Sequence, residues 1–128
     1  MFVIIICMAI VLFMPMLAKV PLAYLMHKEG KYDNRHPRSQ QNRLEGLGAR
    51  AKAAHDNCFE AICFFAPTVL LVLALDAHTV YTAQLCIAFV LLRLIYLICY
   101  WCNWHIARST VWVIAMGTIV AHFVLLLK

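Results

Sequence analysis

The segment TVYTAQLCIAFVLLRLIYLICYW, residues 79–101, decides the fold of this chain. It is a continuous apolar run with one charge, Arg93. A bilayer-spanning helix needs about 20 predominantly apolar residues, whereas a barrel strand needs about ten that alternate in polarity. The run is too long and too uniformly apolar for a strand, and a helix satisfies its own backbone groups over such a length in lipid. Three further runs share its character, at about 2–26, 49–75 and 110–127. The first is interrupted by Pro15, Lys19 and Pro21. It is too long for a signal-peptide core and has no basic leader, so it reads as a retained span.

The whole composition agrees with this reading. Of 128 residues, 65% are hydrophobic and 13% charged, and the mean hydropathy is +0.82. Soluble domains are roughly 45–50% apolar and about 25% charged, so a water-soluble monomer and a disordered chain are both excluded. The expected fold is an all-α integral membrane protein, a single four-transmembrane-helix bundle filling residues 1–128.

The net charge of +5 is unevenly placed. Lys28, Lys31, Arg35, Arg38 and Arg43 lie in the polar stretch 27–48 between the first two spans, with Arg50 at its edge. Arg108 lies in the link between the third and fourth spans, and the link around Asp76, Ala77 and His78 has no Lys or Arg. By the positive-inside rule, the first and third loops face the cytoplasm and both termini lie outside. The basic charge therefore reports topology and contact with anionic membrane lipid, not nucleic acid. Gly30, Asp33, Asn34 and Pro37 are turn formers, so the first loop is expected to fold over the end of the bundle.

Ionisable residues inside spans are costly and mark a site, a pathway or a clasp between helices. On the second span, Arg50, Asn57 and Glu60 fall within about 80° on a helical wheel. On the third, Arg93, Tyr96 and Tyr100 fall within about 60°. A lone Arg in such a span needs an anion, and Glu60 is its candidate partner, within a subunit or across an interface. Two readings stay open. The residues form an interhelical clasp that fixes register, or they line a cytoplasm-facing pocket for an anionic polar ligand.

Other signals are weaker. The six cysteines read as small buried hydrophobes; Cys99 and Cys102 form a CxxC with no second pair at zinc spacing. His55 and His122 read as helix-packing residues, and no metal site is expected. The alanines at 49, 51, 53 and 54 permit close helix approach.

The motif Ala54-His55-Asp56-Asn57-Cys58-Phe59-Glu60, with Arg93-x-x-Tyr96-x-x-x-Tyr100 and then Arg108-Ser109, resembles the MAPEG family. These are membrane-associated proteins in eicosanoid and glutathione metabolism. The segment Tyr32–Arg38 looks most like a bacterial branch, which implies an inner membrane. The resemblance covers nearly the whole chain. It implies a homotrimer that binds glutathione as co-substrate between subunits and conjugates or reduces a lipophilic small molecule or lipid. Asn57 and Glu60 would then meet the peptide and amino groups of glutathione. Arg93, Tyr96 and Tyr100 would meet its carboxylates or amides, with Arg50 supplying a further cation. Arg108, with Ser109, would stand at the sulfur as the catalytic pair.

Two departures from the family pattern bear on this. Many members carry Arg four residues before the Asn of the second span, where this chain has Ala53. The step from Tyr100 to Arg108 is about one residue longer than in some, which would rotate or unwind the end of the third span. Both bear against glutathione chemistry without touching the fold, and the Ala53 departure favours an alternative, a non-catalytic protein of the same fold that binds a lipid or a partner. A small multidrug exporter fits worse, because the first span carries Lys19 and no acid.

Overall fold

The structure is a computed structural model, and it describes residues 1–127. Among these the chain forms five helices and no strand: α1 (Phe2–Gly30), α2 (Pro37–Arg43), α3 (Leu47–Ala74), α4 (Val80–Trp101) and α5 (His105–Leu126). Four of them, α1, α3, α4 and α5, are long and apolar enough to cross a membrane. Two bounds differ from the sequence reading by four residues or more. The first span runs to Gly30, and the last begins at His105 instead of near residue 110.

The helices are packed through small and aliphatic side chains. Ala18, Ala54 and Cys58 draw α1 and α3 together, with Met14 and Leu97 in the same cluster. Towards the chain termini the core is larger, and the Phe65 and Phe89 rings stack with centroids 4.5 Å apart. Cys7, Cys58, Cys86 and Cys99 are buried as expected, but Cys63 and Cys102 stand on the outer surface.

Two short links set the register of the spans. After α3, Asp76 takes φ 50, and the Ala77 N–H returns to the Val72 carbonyl at 3.0 Å. After α4, Asn103 takes φ 60, and the Trp104 N–H returns to the Cys99 carbonyl at 2.9 Å. Both are Schellman turns, with a short polar side chain at the left-handed position usually given to glycine. The reciprocal hydrogen bonds of Thr79 and Thr82 then start α4.

α1 and α3 are 29 and 28 residues long, against 22 for α4 and α5. At 1.5 Å per residue the longer pair overshoots by about 10 Å. The overshoot is at the basic end, where Trp101 packs against Leu22, Met26, Leu44 and Ala51. There α2 folds back over the bundle. Pro37 opens it, in the position where a missing N–H costs nothing. Gln40, 5% exposed, holds it down: its amide donates to the carbonyls of Met26 and Lys31, both at 2.9 Å, and accepts from the Asp33 N–H at 2.9 Å. The Asp33 carboxylate accepts from Arg35 N–H at 2.9 Å and His36 N–H at 3.0 Å. The His36 and Arg35 amides hold that carboxyl below its usual range.

Candidate functional site

A cleft of about 370 Å³ opens between α3, α4 and α5 in the basic half of the bundle. Asn57 and Glu60 come from α3, Tyr96 and Tyr100 from α4, and Arg108 and Ser109 from α5, with Trp112 and Val113 completing the wall. Six of the eight residues singled out from the sequence thus share one cleft. It lies at the small end of the roughly 300–1,000 Å³ typical of ligand sites.

Along the α4 wall two rings lie between two cations, the second of them from α5. The Arg93 guanidinium carbon lies 4.2 Å from the centre of the Tyr96 ring. Tyr96 meets Tyr100 edge-to-face at 5.2 Å, and the Arg108 guanidinium lies 4.5 Å over the Tyr100 ring. Spacing of three and four residues puts the two tyrosines on one helix face. The Schellman turn at Asn103 then brings Arg108 back against them. The unwinding expected at the end of the third span is not seen: α4 stays helical to Trp101. After the turn, Arg108 and Ser109 sit in the first two turns of α5 instead of in a loop.

The α3 wall carries the acid. Asn57 Nδ2 donates to Glu60 Oε2 at 2.5 Å, and Asn57 Oδ1 accepts from Arg93 Nη2 at 2.6 Å. Arg93 therefore reaches Glu60 only through the Asn57 amide; no carboxylate is at ion-pair distance from it among the described residues. The direct Arg93–Glu60 pair considered from the sequence does not form within the chain, because the side-chain amide stands between the two. Asn57, with donor and acceptor on one amide, satisfies both neighbours at once.

Arg93 is 1% exposed and stands behind Asn57 and Tyr96, not on the cleft surface. Its Nε and Nη1 have no hydrogen-bond partner among the described residues. Such a charge, desolvated and not neutralised, raises the potential of the cleft in front of it. Arg50 also lies off the cleft. It is half-buried, ten residues and about 15 Å along α3 from Glu60, with its Nε unpartnered. Ser109 Oγ donates to the His105 carbonyl at 3.1 Å, which leaves its lone pairs free.

Trp112 and Val113 were not singled out as site residues. They follow Ser109 by three and four positions, the helical spacing that could have found them. His55 and His122 pack as the sequence suggested. His55 Nδ1 donates to the Pro15 carbonyl at 2.9 Å, joining α3 to α1. His122 Nδ1 donates to the Thr118 carbonyl at 2.8 Å, and its Nε2 faces Cys86 Sγ at 3.6 Å.

Chemically, the cleft offers a carboxylate at one side and a guanidinium at the other, with an amide and two phenols between them. That set suits a zwitterionic or peptide-like ligand with an anionic group at the Arg108 side. A family model described as the MAPEG family matches residues 3–128. No curated protein and no solved structure matches the chain.

Proposed function

Because this chain belongs to the MAPEG family, we propose that it is a glutathione-dependent membrane enzyme, a transferase or peroxidase of lipophilic electrophiles. The observation that supports this most is the convergence of Asn57, Glu60, Tyr96, Tyr100, Arg108 and Ser109 on one cleft. Glutathione carries an ammonium group, two carboxylates, two amides and a thiol. Glu60 complements the ammonium, while Asn57 and the tyrosine hydroxyls complement the amides. Arg93, from behind, favours the carboxylates. Arg108 is the cation at the sulfur, and the Ser109 hydroxyl, its proton given to the His105 carbonyl, can accept from the thiol. A cation beside a thiol lowers its pKa below the ordinary value of about 8.5, which supplies the thiolate nucleophile at neutral pH. The lipophilic partner enters from the bilayer along the apolar helices.

The assembly in this reading is a homotrimer. The basic first loop and the Arg108 end face the cytoplasm and the termini lie outside, in accord with the positive-inside rule. A bacterial inner membrane is the compartment that the family resemblance implies.

Two measurements test the proposal. Glutathione added to protein in nanodiscs should raise Tm and produce the ultraviolet absorbance of a bound thiolate. Arg108→Ala should abolish the thiolate signal and lower turnover by about 10²–10³, the scale for losing one preorganised charge-stabilising group. Absence of both signals in the unsubstituted protein refutes the proposal. Full activity of Arg108→Ala refutes only the role of Arg108.

One observation favours the non-catalytic alternative. Ala53 supplies no cation, and Arg50 does not line the cleft in its stead. In that reading, a co-purified lipid occupies the cleft and glutathione gives no shift.

A further inference from the structure

A second polar pocket, of about 490 Å³, lies between α1, α2 and α3, on a different face of α3 from the cleft. Lys52, His55, Asp56 and Phe59 form that face, about 110° round the helix from Asn57 and Glu60. Lys19 from α1 and Arg38 from α2 converge on the same space. Only one carboxylate opposes these three cations. Asp56 is bonded to Lys52 at 2.6 Å, while Lys19 and Arg38 have no ion-pair partner among the described residues. The His55 ring is fixed by its Nδ1 bond to the Pro15 carbonyl, which leaves Nε2 for the pocket. Gln41, 7% exposed, adds a nearly buried amide to the wall.

We propose that this pocket binds an anionic phosphate group. Cations and neutral donors brought together from three helices suit a ligand with several acceptor oxygens on one centre. Its depth points to a phospholipid headgroup. Ala18, Leu22, Ala51 and Ala54, chain neighbours of the pocket residues, pack beside Trp101, where α4 ends. That is the level at which apolar helix gives way to polar chain and bilayer headgroups begin. Phe59, 52% exposed and one turn deeper, lies where an acyl chain would descend. The site does not depend on the thiol chemistry of the cleft, and a protein that bound no glutathione would still hold the phosphate.

Native mass spectrometry of the full chain, titrated separately with phosphatidylglycerol and phosphatidylcholine, tests the assignment. One anionic lipid per chain should be retained in preference to phosphatidylcholine. Each of R38Q and K19Q should weaken that preference about five-fold, the scale for one cation at a membrane surface. Arg38 is exposed on α2, so R38Q tests the site without threatening the fold. Displacement of the lipid by millimolar inorganic phosphate makes the phosphate sufficient, and resistance to it makes the lipid the ligand; either supports the site. Equal retention of the two lipids, or an R38Q preference like that of the unsubstituted protein, overturns it. So does protection of Lys19 from acetylation by glutathione but by neither phosphate source.

Discussion

Among the polar side chains wholly buried in the spans are His122 and Arg93, and the two halves of the bundle treat them differently. His122, in the half nearer the chain termini, is 0% exposed and has a partner on each ring nitrogen. Arg93, in the basic half, is 1% exposed, has one side-chain partner in Asn57, and keeps two nitrogens unpaired. Buried polar groups in native proteins are normally satisfied. A satisfied one, such as His122, is part of the packing. A charged one left short of partners costs stability, and the basic half tolerates it where a polar cleft adjoins. Under the proposed function, the contrast separates a structural polar contact from one that serves a ligand.

The largest effect that could break this contrast lies at Asn57. Asn57→Leu removes the one side chain that Arg93 bonds to, and should lower stability by about 3–5 kcal/mol, as when a buried charge loses its partner. Denaturation in a mixed micelle measures this, and adding Arg93→Met to Asn57→Leu should restore most of the loss. Arg93→Met alone should leave stability unchanged or raise it by about 1–4 kcal/mol, as apolar replacements of buried charges do. The same variant should bind glutathione more weakly in calorimetry. A large loss of stability in Arg93→Met would mean that the charge is structural, like His122.

His122→Leu should cost about 0.6 kcal/mol, the average for a polar contact between membrane helices, and leave glutathione affinity unchanged. The smallest effect concerns Asp33. Its carboxyl is held below the usual range in the folded chain, so its contribution is present above the ordinary carboxylate pKa and lost as pH falls through the lowered one. Amide exchange in α2 should therefore quicken on acidification, and Asp33→Asn should flatten that dependence.

Much of this was legible in the sequence, for reasons that differ by element. The four spans follow from length and apolar composition, because lipid leaves the backbone so few alternatives. The cleft follows from spacing: Asn57 with Glu60 and Tyr96 with Tyr100 share helix faces, and the antiparallel links bring those faces together. The partner of Arg93 was not legible. Charge alone favours Glu60, and which atom the guanidinium meets depends on an amide lying between them. The start of α5 was misplaced because His105 and Arg108 are polar, while the signal that ends α4 is Asn103 in a left-handed turn. The place of α2 was hidden too. Pro37 marks its start, but the Gln40 bonds to Met26 and Lys31 that hold it are tertiary.

The central claim is that the cleft of Glu60, Tyr100 and Arg108 holds glutathione, and calorimetric titration of the thiol into the protein in nanodiscs tests it most directly. The account predicts saturable binding, with stabilisation of about 2.7 kcal/mol at a hundred times Kd that is lost in Glu60→Gln. Absence of heat and of any shift in Tm, or binding that Glu60→Gln leaves untouched, would contradict it.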